Sequence, residues 1–447
     1  MKRIFFIVSC LSVLHCLVVG CHNELGDIEE QATEEILFET PQVNLHLDEA
    51  SRGITSATLS KTSLEAGEKF AVWGYCLPYT PGTTNYAYNS GSSPWLTKRN
   101  LCPPHVFDNN LNEVTVGGGP TVKKYWYKQG KDLDGNTNNS IGADAENYQY
   151  TFFAYYPAED GGFRINPDAN GESQAYVANS NSLIVTYTMP YNGTASSPST
   201  VDLGGDTYVT NDAMIAMVEN HRKANGKIAF TFSHLLTALT FQVNNFTEYK
   251  DENDTQYGKD LYIKAIRLGG TFHKKLEVDL FRSSSENYSF PNSTYKAIYT
   301  IFNGSKVVPY VKSDEKGEIA QVVGHPLLLL CGMQVEENGT KVDKYLGPNP
   351  YAGYDLTKDF EYNVKNGGGI YLEVAYQYGE SGSIIRKQFP LMTQDRTFTT
   401  HVGVNYTIQL NWVGESFVII VVPVSNSSWE DGENADGNAS NDDVVFE

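Results

Sequence analysis

Residues 402–412 alternate without a break. Val402, Val404, Tyr406, Ile408, Leu410 and Trp412 fall on one side of an extended chain, and Gly403, Asn405, Thr407, Gln409 and Asn411 on the other. A period of two sustained over that length fits a strand packed on one face and wet on the other, and it fits no helix. The same period recurs in Tyr148, Tyr150, Phe152, Ala154 and Tyr156, and in Ile370, Leu372, Val374, Tyr376 and Tyr378. Stretches rich in Asn, Gly and Ser, such as 128–147, 190–206 and 244–258, separate these runs and read as turns. Only short helices are expected, near 212–224 and 233–239. With 29 Tyr, 21 Phe and 5 Trp but only 19% charged residues, the chain must pack many rings, which excludes a disordered polymer. Many strands between turns predict an all-β protein built from sandwiches. The 447 residues exceed one simple sandwich, so a boundary is placed near Asn225-Gly226, in a polar stretch.

The two ends differ from the body. Lys2 and Arg3 precede an apolar stretch from Ile4 to Val19, and the stretch ends in Val18-Val19-Gly20-Cys21. Small residues before a cysteine resemble the lipobox of bacterial lipoproteins, which implies cleavage after Gly20 and a lipid on Cys21. The stretch is short for a membrane span, and His15 interrupts it. Residues 22–52 then hold nine acids against one base, Arg52. Through Glu35 this reads as a solvated acidic tether. Val43, Leu45 and Leu47 alternate as a half-buried strand would. Ser51-Arg52-Gly53 fits either a protease site or an ordinary surface arginine, and spacing alone favours the surface arginine. At the other end, Phe417-Val-Ile-Ile-Val-Val-Pro-Val424 is the most apolar run after residue 20. It must be buried in its own sheet or in that of another molecule, and pattern alone favours an internal last strand. Residues 430–447 carry acids and no base.

Charge and motifs exclude several functions. A net charge of −20 argues against nucleic acid and against anionic membrane faces as partners. The nine histidines form no His-x-x-x-His pair, and no Cys-x-x-Cys, Gly-x-Ser-x-Gly or Gly-Lys-Ser/Thr motif occurs. The glycine runs in Val116–Pro120 and Asn366–Ile370 read as loops, because neither opens a helix. Asp132-Leu-Asp134-Gly-Asn136 lacks the later ligands of a calcium loop and reads as a turn. His234 reads as a histidine satisfied inside the fold. Cys76 and Cys102 could pair in an oxidising compartment, and Cys331 follows an apolar run. Nothing nominates a catalytic residue, a metal site or a cofactor, so the chain is read as a non-enzyme.

Four blocks carry a further likeness: Lys124-Tyr-Trp126; Tyr150-Thr-Phe-Phe-Ala-Tyr-Tyr-Pro157; Asn211-Asp-Ala-Met-Ile-Ala216; and Phe230-Thr-Phe-Ser-His-Leu-Leu-Thr-Ala-Leu-Thr-Phe241. In that order, with Cys21 and Arg52 ahead of them, the chain resembles the fimbrillin-like subunits of type V pili of Bacteroidales. The resemblance implies two transthyretin-like β-sandwich domains in tandem, 53–226 and 227–447, after a signal peptide at 1–20 and a removable segment at 21–52. It implies a lipoprotein at the outer membrane surface that is cleaved between Arg52 and Gly53 and joins a fimbrium by donor-strand exchange with other pilus subunits. The donor strand implied is Phe417, Val418, Ile419, Ile420, Val421, Val422 and Val424. A tip or anchor subunit acting in adhesion, with a host glycan or protein as ligand, is the nearest alternative. A surface glycan-binding lipoprotein, using the many aromatic side chains, is another.

Overall fold

The alternating runs become strands in the computed structural model. It describes residues 35–43, 62–78, 106–107, 113–127, 132–134, 136–137, 148–159, 162–165, 183–205, 212–245, 259–280, 288–291, 293–310, 321–330, 334–337, 340–343, 353–391, 403–414 and 416–428. In chain order the first strands are β1 (Gln42–Val43), β2 (Lys69–Pro78), β3 (Glu113–Thr115), β4 (Gly119–Pro120), β5 (Tyr148–Tyr156), β6 (Phe163–Ile165), β7 (Ile184–Thr188) and β8 (Ser199–Asp202). Next come β9 (Met214–His221), β10 (Thr231–His234), β11 (Thr237–Asn245), β12 (Leu261–His273), β13 (Lys275–Asp279), β14 (Tyr288–Ser289) and β15 (Thr294–Val308). The last are β16 (Gln321–Val322), β17 (Leu327–Leu329), β18 (Gln334–Glu337), β19 (Thr340–Asp343), β20 (Ile370–Tyr378), β21 (Ile384–Pro390), β22 (Val404–Trp412) and β23 (Phe417–Ser428). Among the described residues one α-helix, α1 (Phe360–Asn366), precedes β20.

The protein is all-β, as its alternation predicts. Its sheets run in the orders β1-β10-β9-β5-β2-β3-β4, β14-β13-β7-β6, β21-β20-β12-β15-β8 and β16-β11-β22-β23, and β17 also pairs with β11. Strands β18 and β19 form a separate hairpin. Pairing crosses residue 226 more than once. β8 runs parallel to β15, while β13 pairs with β7 and β10 with β9.

Two main cores follow from this layering, and a small third cluster of Ile298, Phe360, Val364 and Tyr371 lies at α1. One face of β2 and β5 gives Phe70, Val72, Tyr150, Phe152 and Ala154 to a smaller core with Phe230 and Phe232. The opposite face gives Trp73, Tyr75, Phe153 and Tyr155 to a larger core that continues through β7, β12, β20, β22 and β23. Both faces of these strands are buried, so they read as unbroken apolar runs. Rings join the layers within the larger core, with Tyr155 on Phe163 at 4.6 Å and Tyr376 on Trp412 at 4.8 Å.

Three expectations change. The helix expected near 212–224 is strand β9, followed by a single 3-10 turn at Lys223–Asn225. The second, near 233–239, is the end of β10 and the start of β11. Both segments lie inside sheets and feed the cores, with Met214 in the smaller and Leu235, Leu236 and Leu239 in the larger, so strand pairing overrides local helix preference. The outer face of β22 is not wet. Thr407 and Asn411 are buried, and the Asn244 amide donates to Asn411 Oδ1 at 2.7 Å across the parallel β11–β22 pair.

Candidate functional site: an inserted segment at residues 35–43

The chain before Arg52 lies in a slot with a wall on each side. On one side, Glu39 N donates to Ile228 O (2.9 Å), Ile228 N to Leu37 O (2.9 Å) and Gln42 N to Phe230 O (2.9 Å). This pairing is parallel and continues as β1 on β10, with Val43 beside Phe232. On the other side, Ile36 N donates to Lys124 O (2.8 Å), Val43 N to Thr62 O (2.9 Å) and Leu64 N to Pro41 O (3.0 Å). Main-chain bonds on both sides make this an inserted strand rather than a surface tether.

Side chains fill the slot in the same way. Ile36 is fully buried and Val43 is 5% exposed. Phe38 is half-buried, and its ring lies 5.9 Å from Phe70, 5.7 Å from Phe107 and 6.0 Å from Phe230. Glu39, Thr40 and Gln42 point outward and are exposed. The Glu35 carboxylate meets Lys123 Nζ at 2.9 Å and holds that ammonium above the usual lysine range.

Both walls are anchored beneath. Glu68 Oε2 accepts from Glu65 N (2.6 Å), which closes the turn after Leu64. Its Oε1 accepts the Tyr156 hydroxyl (2.6 Å), and burial together with this carboxylate pushes that phenol well up. At the end of β10, His234 Nδ1 meets Asp212 Oδ1 at 2.8 Å, and both side chains are buried. His234 thus lies inside the fold, held through Nδ1 by Asp212. Asp132 Oδ1 accepts from the N–H groups of Asp134 and Asn136, so that acidic stretch is a turn. Among the described residues, no three His, Cys, Asp or Glu side chains gather as a metal site, and no helix is long and apolar enough to cross a membrane.

Cys21, Arg52 and Gly53 lie outside the described residues, as do Leu45, Leu47 and Cys102. The apolar run at 417–424 is within β23, which pairs antiparallel with β22 at the end of its sheet. Phe417 and Ile419 are buried in the larger core, and Val421 packs against it. Val418 and Ile420 lie half-buried on the other face. Val422 pairs with Thr407, and Val424 falls past Pro423, where the register with β22 breaks. The strand is thus apolar on both faces. A turn through Gly414, at φ +97°, leads into it.

Sequence reading placed the inserted strand from Val43 onward and missed its first half. Ile36-Leu37-Phe38, three apolar residues in an acidic stretch, was the available signal.

No protein-family model and no curated protein matches the chain. Among solved structures, a fimbrial assembly protein from Parabacteroides distasonis is similar at 11% identity and a TM-score of 0.31, over 88% of this chain and 98% of that one. A candidate cell adhesion protein from Bacteroides uniformis is similar at 12% identity and a TM-score of 0.34, over 89% and 100%. A second candidate cell adhesion protein, from Bacteroides ovatus, gives 11% identity and a TM-score of 0.37, over 89% and 98%. At these TM-scores the matches fix neither topology nor site, and the functional reading rests on this chain's own strand pairing.

Proposed function

We propose that the chain is a structural subunit of a surface fimbrium. It is exported as a lipoprotein on Cys21, cut between Arg52 and Gly53, and polymerised when a strand from another copy fills the slot that residues 35–43 vacate. The observation that carries this reading is the two-sided pairing of residues 35–43, which end nine residues before Arg52. A cut at Arg52 separates this inserted strand from the fold while leaving Thr62–Leu64 in place as one wall.

The energetics favour refilling. An empty slot exposes the pockets of Ile36, Phe38, Pro41 and Val43 and strands main-chain groups on both walls. Refilling these pockets with mostly apolar side chains returns on the order of 5 kcal/mol before ordering costs. In strand addition, main-chain bonds supply affinity and alternate side chains supply register. Donor and slot are different surfaces of one chain, so the contact does not close on itself and copies add head to tail. The strand offered is Phe417–Val424, because it is apolar on both faces and lies at a sheet end beside a glycine turn. The sandwich units 53–226 and 227–447 belong to this proposal, with β8 lent to the second and β10, β13 and β14 to the first.

N-terminal sequencing of the surface protein tests the cut. A start at Gly53 together with detergent-stable ladders is the expected result. A retained lipidated Cys21 in the polymer rejects it and favours an anchor subunit.

A further inference from the structure

The slot is selective about where its occupant carries N–H groups. The N–H groups of Ile36, Glu39, Gln42 and Val43 all donate to a wall. Among the described residues, those of Leu37, Phe38 and Thr40 donate to neither wall, and Pro41 has none. The slot also contains a break in register. Phe38 faces Ile228 and Gln42 faces Thr231, so four steps of the occupant run against three of the segment that leads into β10. Pro41 lies in that break. Strand β23 has the same feature. Its pairing with β22 is regular from Phe417 to Pro423, then breaks, with Tyr406 opposite Pro423 and Val404 opposite Ser428. A proline is tolerated in a strand where the ladder is already interrupted.

From these constraints we infer that the strand of a second copy of this chain enters the slot with Pro423 in the place of Pro41. This rests on the strand-exchange reading above and fixes its register. Val418 then takes the place of Ile36, Ile419 that of Leu37 and Ile420 that of Phe38, while Val424 lies where Gln42 was and Ser425 where Val43 was. All four N–H groups that the walls require are present in this register. Neighbouring registers fail. With Pro423 at Gln42 or Val43, a bond to Phe230 O or Thr62 O is lost. With Pro423 one place beyond Val43, Glu415 occupies the fully buried place of Ile36. With Pro423 at Thr40, the amide of Asn426 replaces the buried Val43, which is worse than a serine hydroxyl. With Pro423 at Glu39, the bond to Ile228 O is lost.

Cysteine cross-linking reads this register directly. Gln42 lies opposite Ser63, between the bonds Val43 N to Thr62 O and Leu64 N to Pro41 O. That is a non-hydrogen-bonded antiparallel pair, whose Cα atoms come to about 4.5 Å and suit a disulfide. In the uncut full chain, Q42C with S63C closes an intrachain bridge and shows that the walls are folded. After cleavage of the full chain by an arginine-specific protease, S63C with V424C should lock polymer rungs that collapse on reduction. S63C with P423C, or with S425C, should give at least about tenfold less, because those side chains face away. A strongest cross-link from any other residue of 418–426 overturns the register and leaves strand exchange standing. Polymer without a cross-link from any of them overturns the donor assignment, and absence of polymer overturns the functional reading itself.

Discussion

Glu373 is 4% exposed, and its Oε1 accepts from Arg267 Nε at 2.8 Å and from Arg386 Nη1 at 2.9 Å. Arg267 also reaches Glu361 on α1 at 2.6 Å and lies 4.7 Å over the Phe360 ring. Without Glu373, Arg267 keeps Glu361 and the Arg386 head is already largely in solvent, so the loss is that of the charge-assisted hydrogen bonds alone. Glu373→Ala should therefore cost about 1–3 kcal/mol in denaturant unfolding. His221 gives a pH dependence. It stacks on Trp126 at 5.7 Å, and its Nε2–H donates to Gly226 O at 3.0 Å. Burial holds its pKa below the ordinary value, with the Gly226 bond opposing in part. The unfolded chain then binds the proton more readily, so stability is full above about pH 6.5 and falls as pH drops below it. Unfolding midpoints at pH 7.5 and 5.5 should show the fall, and His221→Gln should reduce it. Gly74 faces Phe152, and an added Cβ would come within 2.8 Å of that ring. Gly74→Ala should cost about 1–3 kcal/mol. Contacts of this kind are invisible in a single sequence, because Glu373, His221 and Gly74 meet partners set by folding rather than by spacing.

Strands whose rings and aliphatic side chains recur at every second position were legible as elements, even where the other face is also buried. β5, β20 and β22 follow that alternation, down to the rings that enter the cores. β2 escaped it, because Phe70 and Val72 feed one core while Ala71 and Trp73 feed the other, so no polar face marks the period. β9 read as a helix for a related reason, since Ala and Met carry helix preference and nothing local reveals the strands on either side. α1 was missed although its signals are present. Asp359 accepts from Tyr362 N at 2.7 Å as the N-cap, and Gly367 follows the last turn. Seven residues are too few for a clear helical period. In the inserted segment, the apolar triplet at 36–38 was outweighed by the surrounding acids. Phe38→Ala tests how firmly that segment is held. Loss of its ring contacts should cost about 2–3 kcal/mol and speed amide exchange across residues 36–43 before that of β5, as followed by mass spectrometry.

The whole molecule is knitted across its midpoint, and this was the least legible level. Composition and turn signals placed a boundary near Asn225-Gly226, but no local pattern announces that β8 pairs with β15 or β13 with β7. Such pairings join residues about a hundred positions apart and depend on which sheet edges remain open once nearer strands have paired. The larger core runs from Ala71 to Ile419. Unfolding of the full chain should accordingly be one cooperative transition, with far-UV and near-UV circular dichroism coinciding, and residues 53–226 expressed alone should lack the near-UV signal. The parallel pairing of β11 with β22, eight positions from Ala238 opposite Asn405 to Asn245 opposite Trp412, has a mechanical consequence. Tension that draws β11 toward its start and β22 toward its end slides two parallel strands past each other. Every rung of that ladder then takes the pull together instead of opening in turn, so a tug in that direction loads this seam in shear.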